Sequence, residues 1–305
     1  MTAPVQCPVC CVGESGLHAV IAGHPYYCCA QCGSIHVDPQ LLAELDAGSA
    51  QIGEYGEEYW EQERVGAMER AGGIGLCRVG EAILYCRRPV RRFLDIGAGA
   101  GFLLGKLHDL LDPDAEIFHG VEKYPPPYAQ RVENFHVGGI ESLTGSFDAG
   151  ACIEVVEHLT PLMLDGLVAG MAKVSVPGSF WLFNTGMPDY VRDEDPDYLD
   201  PIERGHIVSY SLAGLAGIFG RHGFRVGGLP GKSFAFYAEF RPLEEIAFEA
   251  RIYGALPENT ALLQRHGLLY HAAFESARSY MYYSGYLERT RWAQSLQAQL
   301  ISSAS

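Results

Sequence analysis

Four cysteines near the start of the chain have the spacing of a metal site. Cys7 and Cys10 form one Cys-x-x-Cys pair, and Cys29 and Cys32 form a second pair. Two such pairs separated by roughly fifteen to twenty residues are typical of a four-thiolate zinc site. Four protein ligands would close the coordination shell of the ion. The spacing therefore predicts a structural zinc ion bound by these four residues.

Two further cysteines, Cys11 and Cys28, lie beside the pairs and leave the choice of ligands open. A group of buried thiols without a metal is the other interpretation. The first choice gives two equal knuckles, and Gly33 suits the left-handed turn of such a knuckle. Because residues 1–40 are too few for a core of their own, zinc would stabilise this unit directly.

Three glycines, Gly97, Gly99 and Gly101, follow a short apolar run and precede leucines at helical spacing. This order predicts a strand, a tight turn and a helix, because glycine lets the backbone turn sharply and approach a ligand closely. A second apolar run further along ends in Glu122. A carboxylate at the end of the next strand can accept hydrogen bonds from ribose hydroxyls. These residues therefore predict a nucleoside-binding crevice.

Two carboxylates and two imidazoles form a third group with chemical potential. Glu154, Glu157 and His158 follow a predicted strand, and His206 lies in a later polar segment. We predict His158 or His206 as a general base, with Glu154 or Glu157 orienting the imidazole. The same donors suit a divalent cation, which would lower the pKa of an acceptor hydroxyl. Both interpretations stay open, together with a third in which His158 only lines the pocket.

The elements that must position these residues alternate between strand and helix from residue 92 to 240. Predicted strands cover residues 93–96, 117–121, 134–137, 147–153, 179–184, 224–229 and 233–240. Predicted helices cover residues 101–111, 161–174 and 211–222. This alternation predicts an α/β fold with a mostly parallel, doubly wound sheet. Because the link between the last two strands is so short, we expect a hairpin and an antiparallel last strand.

The pattern of residues 95–101, Asp-Ile-Gly-Ala-Gly-Ala-Gly, resembles motif I of class I S-adenosylmethionine-dependent methyltransferases. A dinucleotide fingerprint would need its third glycine one position later, where Phe102 stands, which disfavours a nicotinamide oxidoreductase. The resemblance covers roughly residues 90–240. It implies a Rossmann-like, seven-stranded methyltransferase sheet whose last strand is antiparallel.

The resemblance also implies roles for the residues of the crevice. The loop of Gly97, Gly99 and Gly101 would run alongside the methionine part of the cofactor. Glu122 would hold the ribose hydroxyls, and Asp95 would orient the glycine loop or the cofactor amine. S-adenosylmethionine is therefore the expected cofactor.

Two further residues are expected on the cofactor side of the crevice. Tyr55 and Tyr59 lie four residues apart, on one face of a predicted helix. They look like the aromatic arm that zinc-containing methyltransferases fold against the cofactor, which implies Tyr59 as a cofactor contact. Packing of the arm onto the next domain is the other interpretation. Glu154 is expected to serve both the cofactor and the catalytic group.

The Glu-x-x-Glu-His pattern of residues 154–158 is similar to one in ubiquinone-pathway O-methyltransferases and small-RNA 2′-O-methyltransferases. This likeness implies a divalent cation at Glu154, Glu157 and His158, with His206 as a fourth participant. The zinc unit before the fold resembles that of bacterial methyltransferases which act on sugars or natural products.

These resemblances give one main hypothesis and two alternatives. The main hypothesis is methyl transfer from S-adenosylmethionine to a small-molecule or glycan acceptor, by O- or C-methylation of a sugar or natural product. One alternative is a metal-dependent 2′-O-methyltransferase that acts on RNA. The other is a non-catalytic binding module built on the zinc knuckles.

Charge and composition narrow the class of partner. The formal net charge of −15 argues against nonspecific nucleic-acid binding, which depends on lysine and arginine. No apolar run approaches the ~20 residues of a membrane span, and the N-terminus lacks the pattern of a signal peptide. We therefore expect a cytoplasmic protein with reduced cysteines, no membrane span and a small-molecule or sugar substrate.

The composition along the chain predicts four segments. They are a zinc-binding unit at 1–40, a helical arm at 41–90, the methyltransferase domain at 91–242 and a helical extension at 243–305. Residues 186–206 contain seven acids and are predicted to form a lid insert in the third segment. The extension is expected to serve as a docking helix or a homo-oligomer contact.

Overall fold

The computed structural model of the chain describes residues 4–52, 57–129, 132–229 and 231–303. Two sheets carry the structure. A small five-stranded sheet contains the N-terminal cysteines, and a seven-stranded sheet follows it.

The small sheet begins with an antiparallel meander. Its strands are β1 (Val5–Gln6), β2 (Glu14–Ile21), β3 (His24–Cys29) and β4 (Ile35–Val37). The side chain of Asp38 then caps helix α1 (Pro39–Asp46) by accepting a hydrogen bond from the Gln40 amide. The cap ends the small unit and turns the chain towards the second sheet.

The arm between the sheets is helical. It consists of α2 (Glu57–Arg70), a π-helical segment (Ala71–Gly75) and α3 (Leu76–Tyr85). From Arg78 onwards every residue of α3 is buried, including the ion pair of Arg78 with Glu81. Lys232 also pairs with Glu81 at 2.6 Å, which links α3 to the short connection between the last two strands of the large sheet.

The large sheet has the strand order β11-β12-β9-β8-β5-β6-β7. Its strands are β5 (Phe93–Ile96), β6 (Phe118–Glu122), β7 (Phe135–Val137), β8 (Phe147–Ile153), β9 (Ser175–Asn184), β11 (Phe224–Gly228) and β12 (Ala235–Phe240). All pairs are parallel except those made by β12, which is antiparallel to both neighbours. The predicted α/β sheet with an antiparallel last strand is therefore confirmed.

Helices cover the large sheet on both faces, as its near-continuous apolar strands require. They are α4 (Phe102–Leu111), α5 (Pro161–Val174), α6 (Pro188–Asp193), α7 (Leu212–Gly220), α8 (Phe248–Tyr253), α9 (Pro257–Gln264) and α10 (Gly267–Ser303). The predicted N-cap Ser211 accepts a hydrogen bond from the Gly214 amide at 3.1 Å. In the core, the rings of Phe183 and Phe236 stack with centroids 4.5 Å apart.

One short strand from the second half of the chain belongs to the small sheet. The strand β10 (Val208–Ser209) follows the predicted lid, yet it pairs antiparallel with β4 of the small sheet. The sequence analysis did not predict this pairing. Through this pairing, the end of the 186–206 segment, which contains His206, is attached to the sheet of the N-terminal unit.

The C-terminal helix α10 projects beyond the core. Its first part packs through Leu269, Ala273 and Ala277, whereas Tyr286 and Trp292 are exposed. Self-association through this helix stays a prediction. Among the described residues, no helix combines the length and the apolar character that crossing a bilayer would need.

The close contact between β8 and β9 yields a test of the core. A Cβ added at Gly150 would lie 2.3 Å from the Trp181 ring and 2.6 Å from the Leu94 carbonyl oxygen. Since neither neighbour can withdraw, we expect Gly150→Ala to lower the free energy of unfolding by about 1–3 kcal/mol. Urea denaturation measures this change.

The matched control is Gly166→Ala in α5. No atom lies within 4 Å of a Cβ at Gly166. We expect this variant to be neutral or stabilised by up to about 1 kcal/mol, because alanine favours the helix. Equal destabilisation of both variants would contradict the proposed packing.

Candidate functional site

The glycine loop between β5 and α4 forms one side of the site. Gly97, Gly99 and Gly101 have φ angles of 75°, 52° and 79°, in the left-handed region that side chains disfavour. A Cβ at Gly97 would lie 2.3 Å from Val155, so this glycine is required for packing. A Cβ at Gly99 would meet no atom within 4 Å. The backbone at Gly99 is therefore accessible from the crevice.

The carboxylate of Glu122 lies at the end of β6, beside this loop. One oxygen accepts a hydrogen bond from the Gly99 amide at 2.9 Å, and the other accepts from the Tyr124 amide at 2.8 Å. Asp95 is buried in β5, and burial, followed by the nearby charge of Glu122, raises its pKa to about 7. Both acids thus lie next to the glycine loop.

These residues fit the nucleoside part of S-adenosylmethionine. The open face at Gly99 is space that a side chain would fill. A carboxylate fixed by two backbone amides keeps lone pairs for ribose hydroxyls. In this arrangement, Glu122 also orients the glycine loop, a role that the sequence analysis assigned to Asp95.

Glu157, His158 and His206 form a second cluster, at the end of β8. One possible ligand atom from each residue lies within 4.8 Å of the other two. Glu157 and His158 belong to a 3₁₀ turn (Val156–His158), and His206 comes from the loop before β10. The two imidazole rings meet edge to face with centroids 4.8 Å apart. The fold thus brings together residues that are distant in sequence.

Backbone carbonyl groups fix the tautomers of the two histidines. The Nδ1 atom of His158 lies 3.1 Å from the Gly205 oxygen, and the Nδ1 atom of His206 lies 2.7 Å from the Tyr198 oxygen. Since a carbonyl oxygen only accepts, each Nδ1 carries a proton, and in the neutral imidazole the lone pair lies on Nε2. Burial, followed by the charge of His158, lowers the pKa of His206 to about 3. His206 is therefore neutral at neutral pH.

The carboxylate of Glu157 is fully buried, and neither oxygen has a hydrogen-bond partner among the described residues. Burial raises its pKa, although the nearby Glu154, Thr185 and Tyr198 oppose this shift without reaching hydrogen-bond geometry. An unsatisfied buried carboxylate needs a proton or a cation. With the imidazoles of His158 and His206 beside it, the donor set suits a divalent cation such as Mn²⁺ or Zn²⁺.

Glu154 lies beside this cluster but is held differently. Its φ angle is 54°, and its carboxylate accepts a hydrogen bond from the Asn184 side chain at 2.6 Å. Burial, followed by the charge of Glu157, raises its pKa to about 8. Of the four predicted acids and imidazoles, the structure thus converges Glu157, His158 and His206, while Asn184 fixes Glu154.

The four predicted zinc ligands also converge. Their sulfur atoms all lie within 4.8 Å of one another, with Cys7 and Cys32 at 3.8 Å and Cys10 and Cys29 at 3.7 Å. A tetrahedral zinc ion with Zn–S bonds of about 2.3 Å requires sulfur atoms about 3.8 Å apart. The geometry therefore fits zinc closely.

The surroundings of these sulfurs also suit thiolates. The amides of Gln31 and Cys32 point at the Cys29 sulfur, each at 3.4 Å. A Cβ at Gly13 would lie 2.7 Å from that sulfur, so only glycine fits there. Cys7 and Cys32 share one hydrogen bond, which lowers the pKa of Cys32 and, together with burial, raises the pKa of Cys7, so one of the two is the readier thiolate.

The predicted cofactor contact Tyr59 and its neighbour Tyr55 fall outside what the structure describes, Tyr55 entirely and Tyr59 in its side chain. Their role stays a prediction. Asn184 and Thr185, by contrast, lie beside the site and were not predicted. The only sequence signal for them was a change to polar residues at the end of a buried strand.

The cysteine cluster generates a direct test of its ligand set. We expect Cys29→Ser to lose bound zinc, because three thiolates and a hydroxyl hold the ion far less tightly. Metal content of the purified protein, measured by mass spectrometry, checks this expectation. Cys11→Ser and Cys28→Ser are the matched controls and should keep one zinc ion per chain. Loss of zinc from either control, with retention in Cys29→Ser, would show that the ligand set is wrong.

No family model matches the chain, and no curated protein matches it significantly. A solved chain from the complex between the Haloferax volcanii Trm112 methyltransferase activator and a methyltransferase is 13% identical, over 62% of this chain and 100% of its own, with a TM-score of 0.44. An amino pentose methyltransferase of Micromonospora echinaspora is 16% identical, over 62% and 99%, with a TM-score of 0.42. The magnesium protoporphyrin IX methyltransferase of Synechocystis is 16% identical, over 66% and 95%, with a TM-score of 0.39. It is the strand order, the antiparallel last strand and the glycine loop of the chain itself that give it the fold of class I S-adenosylmethionine-dependent methyltransferases.

Proposed function

We propose that the protein transfers a methyl group from S-adenosylmethionine to a hydroxyl group of a small-molecule acceptor, such as a sugar or a natural product. One observation carries this proposal. The glycine loop follows β5, Glu122 ends β6, and Glu157 and His158 follow β8; these are adjacent parallel strands, and His206 joins the last two residues from the loop before β10. Both groups therefore lie at the carboxyl edge of the sheet, where such folds bind their ligands.

Backbone groups of the glycine loop determine the geometry of the cofactor side of the site. When bound, S-adenosylmethionine would supply an electrophilic methyl group. Gly99 and Glu122 hold each other in place, so the loop and the ribose-binding carboxylate are fixed before a ligand arrives. Preorganisation of this kind reduces the entropy cost of binding.

The acceptor side of the site favours cation binding over general-base catalysis by His206. An efficient general base has a pKa near the working pH, whereas the pKa of His206 is lowered to about 3. A neutral imidazole with its lone pair on Nε2 is, however, a good metal ligand. A divalent cation held by Glu157, His158 and His206 would lower the pKa of an acceptor hydroxyl.

A series of aromatic rings in contact extends from His206 away from this cluster. The Tyr198 ring lies 4.4 Å from the His206 ring, Tyr190 follows at 5.4 Å, and Phe234 follows Tyr190 at 5.9 Å between centroids. Apolar ring faces beside a few polar groups are typical of small-molecule pockets. They suit a sugar ring or an aromatic natural product.

The RNA alternative has less support. An RNA-binding surface depends on clustered lysine and arginine, whereas this chain has a net charge of −15. The segment that contains Asp189, Asp195 and Asp200 lies directly before His206 in the chain. Asp189 and Asp195 pair with Arg192 and Arg204, but residues 186–206 contain seven acids against these two arginines, and the excess negative charge would repel a phosphate backbone that approached the cluster from this side.

The glycine loop yields a test of cofactor binding. We expect Gly99→Val to weaken S-adenosylmethionine binding at least a hundredfold, about 2.8 kcal/mol, because the side chain fills the open face and strains a positive φ angle. Isothermal titration calorimetry measures the affinity. Gly23→Val is the matched control, since Gly23 also has a positive φ (81°) with no atom within 4 Å of its Cβ, but lies in the β2–β3 turn. Tight binding by Gly99→Val would contradict the proposed cofactor site.

The second cluster yields a test with Mn²⁺ as the probe. We expect the zinc-loaded protein to bind one further Mn²⁺ per chain, more tightly as the pH rises. The sign follows from the raised pKa of Glu157: the cation must displace a proton there, so its apparent affinity increases up to tenfold per pH unit until the carboxyl ionises freely. Electron paramagnetic resonance of free Mn²⁺ measures this binding.

Two variants at acidic positions separate the cluster from the surrounding charge. Glu157→Gln should lose Mn²⁺ binding, whereas Glu203→Gln, at an exposed position of the preceding loop, should retain it. Both variants should still bind S-adenosylmethionine. Wild-type Mn²⁺ affinity in Glu157→Gln would exclude the cluster as a cation site.

A further inference from the structure

The N-terminal zinc unit reaches the second cluster through its edge strand. β4 pairs with β10 in the register Val208 to His36 and Ser209 to Ile35. Just before β10, the Val37 amide donates to the Ile207 carbonyl oxygen at 2.9 Å. The backbone that follows His206 is therefore an added strand of the zinc unit's sheet.

A buried hydroxyl extends this contact to His206 itself. Tyr26, on β3, is fully buried, and its hydroxyl donates to the His206 carbonyl oxygen at 2.7 Å. Burial raises the pKa of Tyr26, so the hydroxyl keeps its proton and stays a donor. Tyr26 and Val37 face each other across β3 and β4. Together they hold two consecutive carbonyl groups, those of His206 and Ile207.

The same backbone is held from the opposite side by the cluster. The Ile207 amide donates to the Glu157 carbonyl oxygen at 2.9 Å, and the His206 amide donates to the Asp200 carbonyl oxygen at 2.9 Å. His206 thus lies in a segment fixed between the zinc unit and the turn that carries Glu157. Its imidazole position follows from this backbone.

The zinc ligands lie close to these contacts along the chain. Cys29 ends β3, the strand that carries Tyr26. The Cys32 carbonyl oxygen accepts from the Ser211 hydroxyl, and the Ser211 amide donates to the Ser34 hydroxyl at 3.0 Å. A change in the zinc knuckles would therefore displace backbone on both sides of β10.

We infer that the zinc unit positions His206 for the Glu157–His158–His206 cluster, and that Tyr26 is the positioning residue which makes this connection. The inference rests on the proposed function only in giving the cluster a role in methyl transfer. Tyr26 does not touch the reacting atoms. It fixes a backbone carbonyl, and through it the direction of the imidazole.

The test compares Tyr26→Phe with Tyr27→Phe in the full zinc-loaded chain. Tyr27 is the next residue of β3 and stacks on His36 at 6.0 Å, so it offers the same loss of a hydroxyl without contact to His206. We expect Tyr26→Phe to bind Mn²⁺ at least tenfold more weakly, with zinc content and S-adenosylmethionine affinity unchanged. Tyr27→Phe should bind Mn²⁺ as the wild type does.

A spectroscopic measurement makes the test independent of cation binding. The Nδ1 proton of His206, bonded to the Tyr198 oxygen, gives a nitrogen-15-resolved NMR signal. We expect this signal to shift or broaden in Tyr26→Phe and to remain in Tyr27→Phe. If no variant binds Mn²⁺, the proposed cation fails, while the signal still decides the positioning role.

Zinc removal supplies the complementary measurement. Gradual chelation of zinc from the wild type should speed hydrogen exchange at the Val37 amide, which donates to the Ile207 carbonyl across the junction, and at the Ile207 amide, which donates to the Glu157 carbonyl on the other side of this segment. An unchanged His206 signal in Tyr26→Phe, or unchanged exchange after zinc loss, would overturn the inference.

Discussion

The pairing of β4 with β10 is the constraint on which the geometry of the site depends. β10 has only two residues, and strands of this length are not stable without support. The support comes from the sheet whose strands and turns carry the four converging cysteines. Because His206 directly precedes this junction, the position of one imidazole depends on the order of the N-terminal unit. A structural metal can in this way influence chemistry at a second site without touching it.

The buried carboxyl groups bear on the charge of the ligands that the proposed crevice would bind. Asp95, Glu154 and Glu157 are carboxyl groups at or near the carboxyl edge of the sheet, and burial raises the pKa of each. Burying three such groups costs free energy unless they bind protons or meet positive charge. The sulfonium of S-adenosylmethionine and a divalent cation both carry that charge. Release of this cost would add to the affinity of the proposed site for cationic ligands.

Local signals predicted much of this structure, whereas contacts between distant segments were not predictable. Apolar runs and the glycine turn gave the strands from Phe93 to Phe240 within a few residues, except that β9 begins at Ser175 rather than residue 179. The cysteine spacing gave the four sulfurs that converge. The pairing of β10 with β4 left no periodic pattern, since two residues cannot display one. The positive φ of Glu154, which turns it towards Asn184, has no signature in a non-glycine residue.

The shared small sheet also means that the chain cannot be divided after residue 40 without consequence. A chain that began at residue 41 would leave β10 as an unpaired edge, with the Ile207 carbonyl group and its neighbours exposed. Unpaired edges recruit other strands and promote aggregation. The N-terminal unit therefore protects this edge by pairing with it through β4. Without residues 1–40, the rest of the chain would be less soluble than the full chain and less ordered in the loop that contains His206.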